Sequence, residues 1–167
     1  MGFSLIPDFK FKKFNDVTPD FLADLGIKGV LLDIDNTLEP YENAVPGEHV
    51  LSWFRALEEQ GIRCAFVSNN GKERVELFNK SLCYPAYYKA GKPFKKKLLL
   101  AIRDIGTEKE NTIFMGDQVF TDVLAAHFTG IRAILVDPIK DKTDPLTKFK
   151  RMLERPVLRK YEKRAKR

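Results

Sequence analysis

The sequence of 167 residues predicts an α/β fold built on a mainly parallel sheet, and three observations carry that prediction. Short, continuous apolar runs recur along the chain, as expected of strands buried on both faces. Stretches with helical spacing separate these runs, and this alternation is the pattern of βαβ units. No internal repeat or low-complexity linker interrupts it. The length suits one domain with one core.

Residues 1–27 form a Phe-rich N-terminal segment (Phe3, Phe9, Phe11, Phe14, Phe21) in which Pro7 and Pro19 prevent one long helix. Within it, 20–25 reads as a short helix ending near Gly26. Residues 29–34 are the first buried strand. Val50, Leu51, Phe54 and Leu57 give 46–60 a helical period that stops at Gly61. A second buried strand spans 63–67, a helix 73–79 and a short extended piece 86–89. A helix over 93–105 takes Pro93 into its first turn and points Leu98, Leu99 and Ile102 inward. Then follow a strand at 111–115, a helix at 119–128 and a strand at 131–136. A helix at 148–153 is expected to break at Pro156, before a last segment.

Composition narrows the function classes. Apolar residues make up 44% and charged residues 31%, which excludes a wholly disordered chain. No apolar run approaches the ~20 residues that span a bilayer; the run beginning at Gly29 stops at Asp33. Asp8, Lys10, Lys12 and Lys13 interrupt any signal-peptide core, so a cytoplasmic protein is expected. Cys64 and Cys83 have no metal-binding spacing, and Cys64 in its apolar run reads as a reduced, buried thiol. Two isolated histidines, His49 and His127, make a poor basis for zinc hydrolysis or Ser-His-Asp chemistry. The net charge of +6 is unevenly spread. Residues 148–167 hold ten Lys or Arg and two Glu, a basic C-terminal tail on a nearly neutral body.

In parallel α/β sheets ligands sit at the carboxyl ends of the strands. There the first strand ends in Asp33-Ile34-Asp35-Asn36-Thr37. Two carboxylates directly after an apolar run are costly unless a cation uses them, and Mg²⁺ suits few carboxylates plus phosphate oxygens. A turn in which Asp and Asn satisfy local amides accounts for the same residues. The second strand ends in Ser68-Asn69-Asn70-Gly71, which suits either a phosphate at a helix N-terminus or an ordinary N-cap. Lys92 precedes the next helix and could set a charge against phosphate or simply face solvent. The fourth signal is Gly116-Asp117, with Asp122 five residues further on; Gly116 allows close backbone approach.

In this order, Asp33-x-Asp35-x-Thr37, Ser68, Lys92 and Gly116-Asp117-x-x-x-Thr121-Asp122 resemble the motifs of the haloacid dehalogenase-like (HAD) phosphohydrolases. The forms of the first and last motifs and the Phe-rich N-terminus are most similar to the small YqeG-type subfamily IIIA phosphatases. That group is similar to phosphatidylglycerophosphate phosphatases. The resemblance implies a Rossmann-like parallel sheet flanked by helices. It implies Asp33 as nucleophile, forming an aspartyl-phosphate, and Asp35 as general acid and base. Asp33, the backbone carbonyl of Asp35, and Asp117 would hold Mg²⁺, while Ser68, Asn69 and Lys92 would bind the phosphoryl group. Thr37, Gly116 and Asp122 would support them.

The intervals from Asp35 to Ser68 and from Ser68 to Lys92 have no room for an inserted domain, so no cap domain is expected. The site should be open to bulky phosphate monoesters, including anionic phospholipid head groups, unless a second subunit covers it. Phe149, Met152, Leu153, Val157, Leu158 and Tyr161 among the basic residues suit a peripheral contact with an anionic membrane, on the inner face in a cytoplasmic protein. A solvated, partly disordered tail accounts for the same composition. Nucleic-acid binding ranks lower, because no base-stacking aromatic motif accompanies the charge. The expected function is Mg²⁺-dependent phosphomonoester hydrolysis. A soluble phosphometabolite phosphatase, or a non-catalytic nucleic-acid-associated protein, stands as the alternative.

Overall fold

A computed structural model describes residues 4–140 and 145–166; Phe3 and Arg167 lie outside the described residues. Six parallel strands form one sheet: β1 (Phe9–Phe11), β2 (Gly29–Leu32), β3 (Arg63–Val67), β4 (Ala86–Tyr87), β5 (Thr112–Gly116) and β6 (Arg132–Val136), in the order β1-β6-β5-β2-β3-β4. Helices α1 (Pro19–Asp24), α2 (Glu48–Glu59) and α3 (Lys72–Asn79) belong to its first half, and α4 (Lys96–Asp104), α5 (Leu124–Thr129) and α6 (Pro145–Ala165) to its second.

The apolar runs are strands because they are buried on both sides. Val30 and Leu32 of β2 join one core with Phe54, Phe66 and Phe78, while Leu31 joins the other with Leu98, Phe114 and Leu135. Full burial of each such side chain contributes roughly 1.5–3 kcal/mol. The intervals 35–68 and 68–92 hold α2 with β3, and α3 with β4, and nothing else of size. This is a sheet flanked by helices without a cap domain, as the sequence predicts.

Four expectations are corrected. The N-terminal segment supplies a strand, β1, which pairs with β6 at the sheet edge. Phe9 and Phe11 stack edge-on against Phe21, and Phe14 against Trp53, so these rings face the protein's own interior. Pro93 is not in a first helical turn: it lies in the bend after Gly91, and α4 starts at Lys96. The expected helix over 119–128 begins as a wide turn, Val119–Val123, in which the Val123 amide donates to the Gln118 carbonyl, and becomes α-helical at Leu124. Lastly, Pro156 does not break the tail. The helix is tied down on both sides of that exposed residue, by Arg151 and Glu154 before it and by Val157, Leu158 and Tyr161 after it.

A charged clamp fastens β1. The Asp8 carboxylate accepts from the Ala133 amide at 2.8 Å, and His127 Nε2 lies 3.0 Å from the same oxygen. His127 Nδ1 lies 2.5 Å from the Ser4 carbonyl oxygen. Both ring nitrogens face acceptors, so the geometry calls for an imidazolium donating twice. The bond to Asp8 holds His127 above its ordinary value of 6.5. Burial works to raise Asp8, but the bonds from His127 and Ala133 leave it below its ordinary 3.8. A raised histidine stabilises fully below its unfolded pKa and loses that stabilisation as pH rises through the folded one. Asp8 does the reverse on the acid side. Unfolding stability is therefore expected to decline as pH climbs from 6.5 through the raised value. In His127→Gln that alkaline decline should flatten; an unchanged profile would contradict the clamp.

Candidate active site

In the strand order β2 lies between β5 and β3, and the chain leaves β2 in opposite directions around it, so a crevice opens at the carboxyl ends there. Asp33 follows β2, its amide donating to the Met115 carbonyl of β5 at 3.0 Å. Ser68 follows β3, Asp117 follows β5, and Lys92 follows the short β4 through the left-handed Gly91. The sheet brings all four strand-end signals to one edge.

Their arrangement is centred on Lys92. Its Nζ lies 2.7 Å from Asp122 Oδ1 and 3.0 Å from Asp33 Oδ1, over the Phe114 ring at 5.1 Å. The Lys92 and Asp122 side chains are each 2% exposed. Burial alone would discharge Lys92, but Asp122 and Asp33 hold it charged and above the ordinary lysine range. Asn69 fixes the Lys92 backbone from both sides, its Oδ1 accepting from the Lys92 amide and its Nδ2 donating to the Lys92 carbonyl.

Both oxygens of Asp122 are engaged. Its second oxygen accepts from the Asp117 and Gln118 amides, both at 3.1 Å. This explains Gly116: a Cβ there would meet the Asp122 carboxylate at 2.3 Å. The close approach that requires glycine is made by Asp122.

Asp33 uses one oxygen on Lys92 and has no hydrogen bond to the other among the described residues. It lines a cavity of about 260 Å³ together with Asp35, Ser68, Asn69, Lys92 and Gln118. Burial drives Asp33 above the ordinary carboxylate range; Lys92 draws it back, and Asp122 and Asp117 push it up again. Asp117 is raised chiefly by burial and by Asp122, against the pull of Arg151. One oxygen from each of Asp33, Asp117 and Asp122 falls within 4.8 Å of the others. Three buried carboxylates this close form an oxygen donor set that fits a hard divalent cation, which would offset their repulsion.

Several partners lie beyond what the motifs indicate. Asp35 accepts from Asn70 Nδ2 at 2.6 Å and Arg74 Nε at 2.9 Å, the latter from the first turn of α3. Thr37 Oγ1 donates to Asp117 Oδ1 at 3.3 Å. From the basic tail, Arg151 Nη2 reaches Asp117 Oδ2 at 2.7 Å and its Nη1 donates to the Asp117 carbonyl at 2.7 Å. Glu154 Oε1 accepts from the Val119 amide at 2.9 Å, satisfying a donor at the start of the wide turn. Glu154 is one of only two acidic residues in the tail, which is the one trace of this docking in the sequence. The Cys64 thiol is buried and free, and burial pushes its pKa far up, as its apolar run suggests.

Because Asp122 is locked by three groups, Gly116→Ala should cost about 1–3 kcal/mol in chemical denaturation, the usual range for overpacking. Wild-type stability in that variant would mean that Asp122 moves freely.

Comparison with known proteins agrees with this geometry. A family model described as HAD-hydrolase-like matches residues 89–156, the stretch that carries Lys92, Asp117, Asp122 and Arg151. The "Probable phosphatase YqeG" of Bacillus subtilis is 37% identical over 153 residues, covering 92% of this chain and 89% of that protein. Among solved structures, CbbY of Rhodobacter sphaeroides in complex with xylulose 1,5-bisphosphate matches with a TM-score of 0.56 at 13% identity, over 68% of this chain and 87% of that one. The cobalt-bound deoxy-D-mannose-octulosonate 8-phosphate phosphatase of Haemophilus influenzae matches with a TM-score of 0.53 at 14% identity, over 83% of this chain and 91% of that one. At such identities the two structures speak for the fold, and the Bacillus relative for the family. The chain belongs to the HAD-like hydrolases, within the group of phosphatases related to YqeG.

Proposed function

We propose that the chain is a Mg²⁺-dependent phosphomonoesterase that works through an aspartyl-phosphate on Asp33. The observation that carries this reading is the buried Asp33 with one oxygen held by Lys92 and the other without a hydrogen bond, at the wall of a cavity. A carboxylate so placed can attack phosphorus in line, forming the Asp33 O–P bond as the bond from phosphorus to the leaving oxygen breaks. Asp35, positioned by Arg74 and Asn70, retains a lone-pair direction on each oxygen for a proton. It gives that proton to the leaving alkoxide. It then takes one from the water that attacks the phosphoryl group, releasing inorganic phosphate and free Asp33. Lys92 and Ser68, with the Asn69 amide, bind the phosphoryl oxygens. Asp33, Asp117 and the Asp35 carbonyl would hold Mg²⁺, supported by Asp122, and the ion would supply positive charge against the phosphoryl oxygens.

Within this class we infer a substrate of phosphatidylglycerophosphate type at an anionic membrane surface. Besides the resemblance, two features favour it over a soluble ester. The site has no cap, and the outward side of α6 exposes Phe149, Met152 and Leu153 beside Lys148, Arg155 and Arg159. Among the described residues no helix is long and apolar enough to cross a membrane, so any contact of this kind is peripheral.

Phosphate release from phosphatidylglycerophosphate in anionic micelles, beside a panel of soluble esters, tests both levels. Release should vanish with EDTA, return with Mg²⁺ and be absent in Asp33→Asn, which should remain folded. Reversing Arg155 and Arg159 to Glu should reduce lipid turnover and spare soluble esters. Truncating the tail would not discriminate, since α6 also holds Asp117. Turnover confined to soluble esters would keep the chemistry and remove the membrane.

A further inference from the structure

We infer that Lys150 on α6 is a specificity-determining residue that binds a second anionic group on the leaving-group side of the substrate. The inference rests on the phosphatase reading above and names the substrate class it implies: phosphate monoesters whose alcohol carries another negative charge.

The cavity holding Asp33 adjoins a second cavity of about 330 Å³, and the two share Asn36, Gln118 and Lys150 as lining residues. Leu146 and Thr147, from the first turn of α6, line the second cavity. A phosphoryl group fixed by Lys92 and Ser68 must send its leaving group away from Asp33, because attack is in line. The first turns of α6 wall the adjoining space into which that group can extend.

Lys150 stands at the junction of the two cavities. It is half-buried, yet it makes no hydrogen bond or ion pair among the described residues. Its neighbour Arg151 is committed to Asp117 and Glu154. A partly desolvated ammonium is unfavourable unless an anion compensates it. No described residue pairs with it, so the geometry leaves this place for the substrate. The position is also fixed: Arg151 and Glu154 clamp the same helical turn to Asp117 and to the Val119 amide, so Lys150 is presented by a docked helix. In a fold without an inserted cap, the C-terminal helix takes on the recognition of the leaving group.

The test compares two near-isosteric soluble esters, 3-phosphoglycerate and glycerol 3-phosphate, which differ by a carboxylate on the leaving alcohol. The wild-type protein should favour 3-phosphoglycerate in kcat/KM. Lys150→Ala should lose about ten- to a hundredfold more on 3-phosphoglycerate than on glycerol 3-phosphate, the range for one hydrogen bond to a charged group. The differential loss should lie mainly in KM, as for binding made equally in ground and transition states. Lys150→Glu should reverse the preference, and both variants should melt as the wild type does. Equal losses on the two esters, or no wild-type preference, would overturn the inference. p-Nitrophenyl phosphate serves as the control on the wild type. If it is hydrolysed while the preference is missing, only this inference fails. If no ester is hydrolysed with Mg²⁺ present, the phosphatase reading fails and takes the inference with it.

Discussion

The ammonium of Lys92, held between Asp33 and Asp122, is the contact on which the rest of the site depends. It joins the end of β2, the turn after β4 and the junction of β5 with α5, three places far apart in sequence. A buried lysine is tolerated only with paired carboxylates, and buried carboxylates only with a cation. Each of the three therefore makes the others affordable, and the surroundings serve to keep them in register. Asn69 grips the backbone of Lys92, two amides grip Asp122, and Gly116 leaves the room that Asp122 occupies. Lys92 and Arg151, the latter shared with Glu154, do not neutralise Asp33, Asp117 and Asp122 together, and this residual negative charge makes the cluster suitable for a divalent cation.

A second constraint comes from the C-terminal helix. By composition it is a basic tail; in the structure it is an arm of the site. Arg151 touches Asp117 twice, Glu154 closes the start of the wide turn that carries Asp122, and Val157 and Leu158 pack against the core. The helix then has two sides with separate demands. Its inner side holds the carboxylate cluster and presents Lys150 to the cavity, while its outer side displays apolar and basic residues. The proposed substrate recognition and surface attachment would thus share one helix.

The frame of the fold was legible because its strands are buried on both faces, so β2, β3, β5 and β6 stand out as unbroken apolar runs. The signals of the site were legible because the topology places them at strand ends, where Asp33, Ser68, Lys92 and Asp117 each follow a strand or its connecting turn. β1 was not legible: it is three residues long, alternates Phe-Lys-Phe at an edge and pairs with the last strand, 125 residues away. Pro156 misled for a related reason. It disfavours a helix locally, yet contacts on either side of it, made by Arg151, Glu154, Val157 and Leu158, hold the helix through it. Arg74, Lys150 and Arg151 look like ordinary surface charges in sequence, and their roles exist only once α3 and α6 are packed beside the strand ends.

The claim at the centre of this account is that Asp33 carries the phosphoryl group. The most direct measurement is acid quenching of the protein during turnover, followed by mass mapping of its peptides. The account predicts one phosphoryl group on the peptide containing Asp33, appearing with substrate and Mg²⁺ and absent from Asp33→Asn. Steady turnover with no label on that peptide, or with the label on another residue, would contradict it.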